Sequence, residues 1–203
     1  MLFNYLFLSI VSYLVGAVPV GLLIGKMFGV DLRQHGSKNI GATNAYRTLG
    51  VRTAFWIFLG DALKGAFGVF FGYYLGGEYA PLVGGLFAIV GHNWPVYLGF
   101  KGGRGVATSL GVIAVIAPFA TVIVFAVWFV IVFLTRYVSL ASITAAALTP
   151  VLTWVLGESG EIILFTLLAA LFIIIRHRPN IERLLDGTES KIKAGMLENL
   201  KKK

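Results

Sequence analysis

No cysteine occurs among the 203 residues, which removes thiolate nucleophiles, acyl-thioester intermediates, disulfides and cysteine-based metal sites together. Charge is scarce as well. Asp, Glu, Lys and Arg make up 13% of the chain against 58% for hydrophobic residues, a balance far outside that of soluble domains. Acid is scarcer than base, and histidine is limited to His35, His92 and His177. These are scattered without carboxylates at ligand spacing, so no metal is expected. No polar block is large enough to fold separately. The chain reads as a single transmembrane domain over residues 1–203, with 194–203 expected to be a disordered or foreign tail.

What the sequence has in plenty is apolar runs, at residues 2–25, 53–75, 79–100, 106–134, 140–156 and 161–175. The first is too long for a signal-peptide core and has no basic leader, so it reads as a retained span. The fourth exceeds one span of about 20 residues but is short for two, and Pro118 lies near its middle, where a helix breaks or kinks. Charge decides between the two options, because cytoplasmic loops carry Lys and Arg. Two short helices meeting near Pro118 put Arg33, Lys38, Arg47, Arg52, Lys101, Arg104, Arg136, Arg176, Arg178 and Arg183 on one side. Glu78, Glu158 and Glu161 then fall opposite. One long helix would place Arg136 across the membrane from Lys101. The expectation is an all-α polytopic bundle of seven transmembrane helices, N-terminus out and C-terminus in, with helices four and five short or tilted. The net charge of +8 is then topology information, and no nucleic-acid partner is expected.

In that topology the polar segments converge on one rim. The first runs from His35 to Arg47, with glycines that permit unusual torsions and small polar groups able to donate to an anion. Thr43 or Asn44 is expected to cap a short helix ending at Gly50, with Arg47 on its first turns; a capped loop helix without chemistry explains the segment equally well. The second, Phe100-Lys101-Gly102-Gly103-Arg104-Gly105, immediately precedes a helix, so backbone N–H groups and the helix dipole can face a phosphate. It lacks the Gly-Lys-Ser/Thr spacing of nucleotide-binding loops, and a glycine turn with positive-inside anchors is the plainer alternative. The third joins Thr135-Arg136-Tyr137-Val138-Ser139 to Arg176-His177-Arg178-Pro179-Asn180. Snorkelling anchors account for most of it, leaving His177 and Asn180 as candidates. His92, inside the third apolar run, is read as structural.

Asp61 and Lys64 stand three residues apart on one face of the second run and can neutralise each other. Such a pair also suits a carrier for an anionic phosphorylated metabolite, whose signature is a midplane polar site, broken helices and internal repeats. No repeat is found, and the residues capable of chemistry sit mostly at the edge.

The motifs Ser37-Lys38-Asn39-Ile40-Gly41-Ala42-Thr43-Asn44 with Arg47, Gly91-His92 followed by the Phe100 to Thr108 segment, Thr135-Arg136-Tyr137 with Ser139, and Arg176-His177-Arg178 with Asn180, Gly187 and Glu189 resemble, in order and spacing, the acyl-phosphate:glycerol-3-phosphate acyltransferases, over about residues 10–192. That family usually has Gly at Lys38 and often Lys at Arg104. The resemblance implies transfer of a fatty acyl group from acyl phosphate to the 1-hydroxyl of glycerol 3-phosphate in a bacterial cytoplasmic (inner) membrane, the site facing the cytoplasm, with membrane lipid around it and no cofactor. It implies Ser37, Arg47, Arg104, His177 and Asn180 as catalytic residues. Asn39, Thr43, Asn44, Lys101, Gly102, Gly103 and Gly105 are implied as further substrate contacts. A different glycerolipid acyltransferase pattern places an Asp five positions after a catalytic His. Glu182 stands there relative to His177, but it is not the required residue. Ser37 lies in no Gly-x-Ser-x-Gly turn, and no carboxylate–histidine pair is evident beside it, so direct transfer without an acyl-enzyme is expected.

Overall fold

The structure, a computed structural model, describes residues 2–192, and every regular element among them is helical. Helix α1 (Leu2–Ala17) is followed by α2 (Val20–Met27) after an interruption at Pro19. Proline has no N–H to donate and disfavours helical backbone at the residue before it, so the helix is interrupted there, yet Leu2–Met27 together remain one candidate span, as the sequence suggested. The carbonyl of Val18 freed by the break accepts a hydrogen bond from Lys64 Nζ at 3.0 Å.

Helix α3 (Ala42–Leu49) ends at Gly50, and α4 (Val51–Leu75) begins at once. Helix α5 (Ala80–Asn93) stops seven residues short of the end of its apolar run, since Pro95 cannot continue it, and residues 96–98 form one 3-10 turn. The long fourth run divides as expected, into α6 (Val106–Ile116) and α7 (Pro118–Thr135). Pro118 opens α7, a position whose N–H would have no helical partner anyway. Helices α8 (Val138–Val155) and α9 (Gly160–Arg176) follow, and α10 (Arg178–Leu185) turns 59° away from α9. Among the described residues, four stretches are long and apolar enough to cross a membrane: α1 with α2, α4, α7 and α8. The bent pair α9 and α10 makes a fifth if it counts as one.

Lipid cannot drive apolar helices together as water does, so close backbone approach must supply the packing. Glycines provide it around α4: Gly68 meets Gly84, Gly72 meets Ala80, Gly65 meets Thr108 and Gly111 meets Ala62, none with room for a β-carbon. Beneath lies an apolar core of Val69, Ile89, Val112, Ile113 and Phe165. Large side chains such as Phe55, Trp56, Phe129 and Phe133 point outward, as expected for a lipid-facing surface.

Helix lengths set the depth of the polar rim. At 1.5 Å per residue, the 25 residues of α4 reach about 37 Å, the 14 of α5 about 21 Å and the 11 of α6 about 16 Å. Thr108, in the first turn of α6, lies against Gly65 near the middle of α4. The glycine loop before α6 is thus recessed by roughly 15 Å from the start of α4.

Candidate active site

The loop leading into α3 is organised by one buried side chain. Asn44 accepts from the Ser37 N–H through Oδ1 at 2.8 Å, and its Nδ2 donates to the carbonyls of Leu32, His35 and Asn39 at 3.0, 3.0 and 2.8 Å. Asn44 therefore holds the loop and has no polar capacity left for a substrate. Neither Thr43 nor Asn44 caps α3: Gly41 takes the N-cap position, Thr43 lies in the first turn, and Arg47 belongs to the last turn and not the first. Asn39 is also engaged locally, its Oδ1 accepting from the Gly41 N–H at 2.8 Å. Ser37 is exposed, its hydroxyl free of protein partners among the described residues. Lys38 has φ of 58°, the left-handed region in which glycine carries no steric penalty.

The glycine loop is pinned from two sides. Arg176 donates from Nε to the Gly103 carbonyl at 3.0 Å and from Nη2 to the Gly102 carbonyl at 2.8 Å, with its guanidinium 5.8 Å over the Trp94 ring. The Gly103 N–H donates to the His92 carbonyl at 3.1 Å. Arg176 is thus a clamp on the loop backbone, more than the interfacial anchor its sequence position suggested. With Gly103 committed, the N–H groups of Arg104 and Gly105 and of the first turn of α6 have no backbone partner among the described residues. They form a donor array at a helix N-terminus, suited to an anion. Lys101 sits exposed at the edge of the loop.

A third group forms where α9 bends into α10. His177 is buried, and its Nδ1–H donates to the Ile173 carbonyl at 2.8 Å, which leaves Nε2 as the nitrogen free for a ligand. Glu182 pairs with Arg178 at 3.0 Å on the exposed face and is no partner of His177. Glu189 carries the network: Oε1 accepts from Ser139 Oγ and Asn180 Nδ2, each at 2.7 Å, and Oε2 accepts from Arg183 Nε at 2.7 Å. Burial alone would raise the Glu189 carboxyl, but the hydrogen bonds from Ser139, Asn180 and Arg183 outweigh it and hold the group below its usual range. Asn180 Oδ1 stays buried without a partner among the described residues.

The segment after α10 turns at Gly187, in the left-handed region at φ of 68°, and lies across the rim as a strap. Its Ser190 carbonyl accepts from Arg47 Nη2 at 2.9 Å and its Ile192 N–H donates to the Arg136 carbonyl at 3.0 Å. This ties α3 to the start of α8, and it leaves Arg47 Nε buried without a protein acceptor among the described residues.

Arg104 stands within electrostatic reach of Arg47, Arg176 and Arg183, with Glu189 as the opposing carboxylate. Burial first, then these like charges, pull its guanidinium down to about 10. The geometry so joins Arg47, Arg104, the glycine loop, His177 and Asn180 in one cationic recess. Ser37 and Thr43 stand at its α3 side, and Asn39 and Asn44 act as scaffold. Arg176, Arg183, Ser139 and Glu189 are additional members; Arg176, Ser139 and Glu189 stand among the motif residues of the resemblance without an assigned role, and Arg183 reads in the sequence only as a basic residue of the same rim. No group of three or more His, Asp or Glu able to hold a metal forms among the described residues. The resources of the site are directional donors for an anion, one basic imidazole nitrogen and one carbonyl acceptor, beside an apolar bundle.

A family model described as glycerol-3-phosphate acyltransferase matches residues 6–187. Among similar proteins, the glycerol-3-phosphate acyltransferase 2 of Moorella thermoacetica is 44% identical over 189 residues, 93% of this chain and 97% of the relative. The glycerol-3-phosphate acyltransferase of Bacillus subtilis is 42% identical over 187 residues, 92% and 96% of the two chains. A crystal structure of PlsY (YgiH), an integral membrane glycerol 3-phosphate acyltransferase in its glycerol 3-phosphate form, superposes with a TM-score of 0.89 at 41% identity, covering 97% of this chain and 98% of that one.

Proposed function

The chain belongs to the glycerol-3-phosphate acyltransferase family, and from that premise we propose that it moves a fatty acyl group from acyl phosphate to the 1-hydroxyl of glycerol 3-phosphate, giving 1-acylglycerol 3-phosphate and inorganic phosphate for phospholipid synthesis. The observation that carries this reading is the cationic recess itself, where Arg47, Arg104 and Arg183 stand within electrostatic reach of Glu189 and Arg176 adds its charge beside Arg104, at the end of an apolar bundle. Both substrates bring phosphate and one brings a lipid tail, so a recess of that charge at that position suits the pair.

The glycine loop with Arg104 and Ser37 takes the acyl phosphate. Arg47, His177 and Asn180 take glycerol 3-phosphate, with Arg47 Nε and Asn180 Oδ1 as its free donor and acceptor. The glycerol hydroxyl oxygen attacks the acyl carbonyl carbon, the carbonyl-to-phosphate C–O bond breaks, and the hydroxyl proton leaves on the departing phosphate, whose anionic oxygens lie next to the reacting carbon. The loop N–H groups and Arg104 stabilise the charge that develops on the way. His177 orients glycerol 3-phosphate through Nε2 and does not take the proton of the attacking hydroxyl. The helices form seven crossings in a bacterial inner membrane, N-terminus out and C-terminus in, with the recess open to the cytoplasm. The basic loops then share one side, in accord with the positive-inside rule.

Purified protein should release phosphate from a long-chain acyl phosphate only when glycerol 3-phosphate is present; failure with several chain lengths would return the carrier reading. Labelled inorganic phosphate incubated with enzyme and acyl phosphate, without acceptor, should not exchange into acyl phosphate. Exchange that disappears in Ser37→Ala would overturn direct transfer.

A further inference from the structure

Three buried side chains that the proposed chemistry leaves unused stand directly behind the glycine loop. Asp61 Oδ1 meets Lys64 Nζ at 2.8 Å, and His92 Nδ1 faces the same oxygen at 3.5 Å. Lys64 is further anchored to the Val18 carbonyl at the α1–α2 break. Such a cluster is costly in a bilayer unless its members satisfy one another. Its placement is specific. The other edge of the His92 imidazole lies against Gly103 so closely that a β-carbon on Gly103 would run into Nε2, and the His92 carbonyl receives the Gly103 N–H. The next residue, Asn93, packs its side chain under Gly105, which is in the left-handed region at φ of 79°.

We propose that His92, set beside the Asp61–Lys64 pair, is a positioning residue for acyl-phosphate binding: its imidazole is the floor on which Gly103 rests, and it sets where the Arg104 and Gly105 N–H groups point. From above, Arg176 draws the Gly102 and Gly103 carbonyls away from the anion; from below, His92 holds the height of the same peptide units. The loop then needs glycine for contact with the imidazole as much as for approach to an anion. Gly103 has no positive φ, so an alanine there meets the His92 side chain and no backbone penalty. Gly102 differs, because a β-carbon there meets the His92 and Asn93 carbonyls and the Pro95 ring.

That contrast gives the test, which rests on the loop being the acyl-phosphate site. The full chain in detergent or liposomes is compared with Gly103→Ala, His92→Ala, the double variant, Gly102→Ala, Asp61→Asn with Lys64→Met, and Arg104→Met. The readouts are kcat, KM for each substrate, inhibition by inorganic phosphate, and Tm. Gly103→Ala should raise KM for acyl phosphate and the inhibition constant of phosphate at least tenfold, while KM for glycerol 3-phosphate stays within twofold. Removing the imidazole in the double variant should recover at least threefold of that loss, although His92→Ala alone weakens binding. Gly102→Ala combined with His92→Ala should recover nothing. Replacing Asp61 and Lys64 together keeps the buried charge balanced and should reproduce the KM effect of His92→Ala. Additive losses in the Gly103–His92 cycle, or losses in kcat or Tm alone, would overturn the positioning role. Should Arg104→Met leave phosphate inhibition unchanged, the loop assignment itself fails; weakened inhibition there with an additive cycle removes only the present inference.

Discussion

The two arginines of the recess are held so differently that a lysine at each should behave differently. Arg47 is oriented by its Nη2 bond to the Ser190 carbonyl at 2.9 Å, and its buried Nε has no protein acceptor among the described residues. A planar fork in that position can keep the strap and still present a second donor to a phosphate; a lysine ammonium is a single point and cannot do both. Losing one hydrogen bond to a charged group removes about 1.5–3 kcal/mol. Converted at 1.36 kcal/mol per decade, this is a drop of roughly 10- to 150-fold in kcat/KM for glycerol 3-phosphate. Arg104, by contrast, makes no side-chain hydrogen bond or ion pair among the described residues and acts as charge over the loop. Arg104→Lys should stay within about threefold of the parent at pH 7. Its cost should appear in alkali. The burial and like charges that lower the arginine would also lower a lysine, whose ordinary value is already the smaller of the two. A group lowered in this way is charged below its folded pKa and loses its charge as pH rises, so the variant's activity should fall at a lower alkaline pH than the parent's. Steady-state phosphate release at several pH values checks both statements. Equal losses in Arg47→Lys and Arg104→Lys at pH 7 would refute the distinction between a bidentate ligand and a general cation.

Lys38→Gly relieves a left-handed backbone position and should raise Tm by a stabilisation of up to about 1 kcal/mol without loss of activity, as read by thermal unfolding in detergent. Glu189→Gln removes the charge that three donors converge on. It should destabilise by about 3 kcal/mol, roughly 6–12 °C in Tm, and lower activity together with it. Cysteines placed singly at Lys101 and Arg136 should be labelled by an impermeant reagent only from the cytoplasmic side, and one at Glu158 only from outside. Labelling of both Arg136 and Glu158 from one side would sink the seven-crossing topology.

Local chemistry was readable in the sequence, and long-range partnership was not. Pro118 announced the split between α6 and α7 because a proline in an overlong apolar run has few other meanings. Pro19 and Pro95 broke or ended helices just as firmly, yet the uniform hydrophobicity around them hid the change. The Asp61–Lys64 pair follows from spacing along one helix. Its link to His92 does not, since that partner lies on α5 and the depth of the loop above it depends on where α6 meets α4. Asn44 looked like a ligand among glycines and hydroxyls. It is consumed by four backbone groups within the same loop, a pattern that composition cannot separate from substrate binding. Arg176 read as an anchor, and only the fold carries its side chain back to carbonyls more than seventy positions earlier.

The shortness of α5 and α6 has a consequence for traffic between two phases. Because the loop lies roughly 15 Å along α4 from its start, an amphiphile can bring its headgroup to the donors while its tail remains among the bilayer chains, and the reaction then requires no extraction of lipid into water. In the proposed reaction a small hydrophilic acceptor would reach the same point from the aqueous side, down the cationic recess. For that reaction this depth suits a donor that diffuses in the plane of the membrane, and the product would be released where a lipid resides.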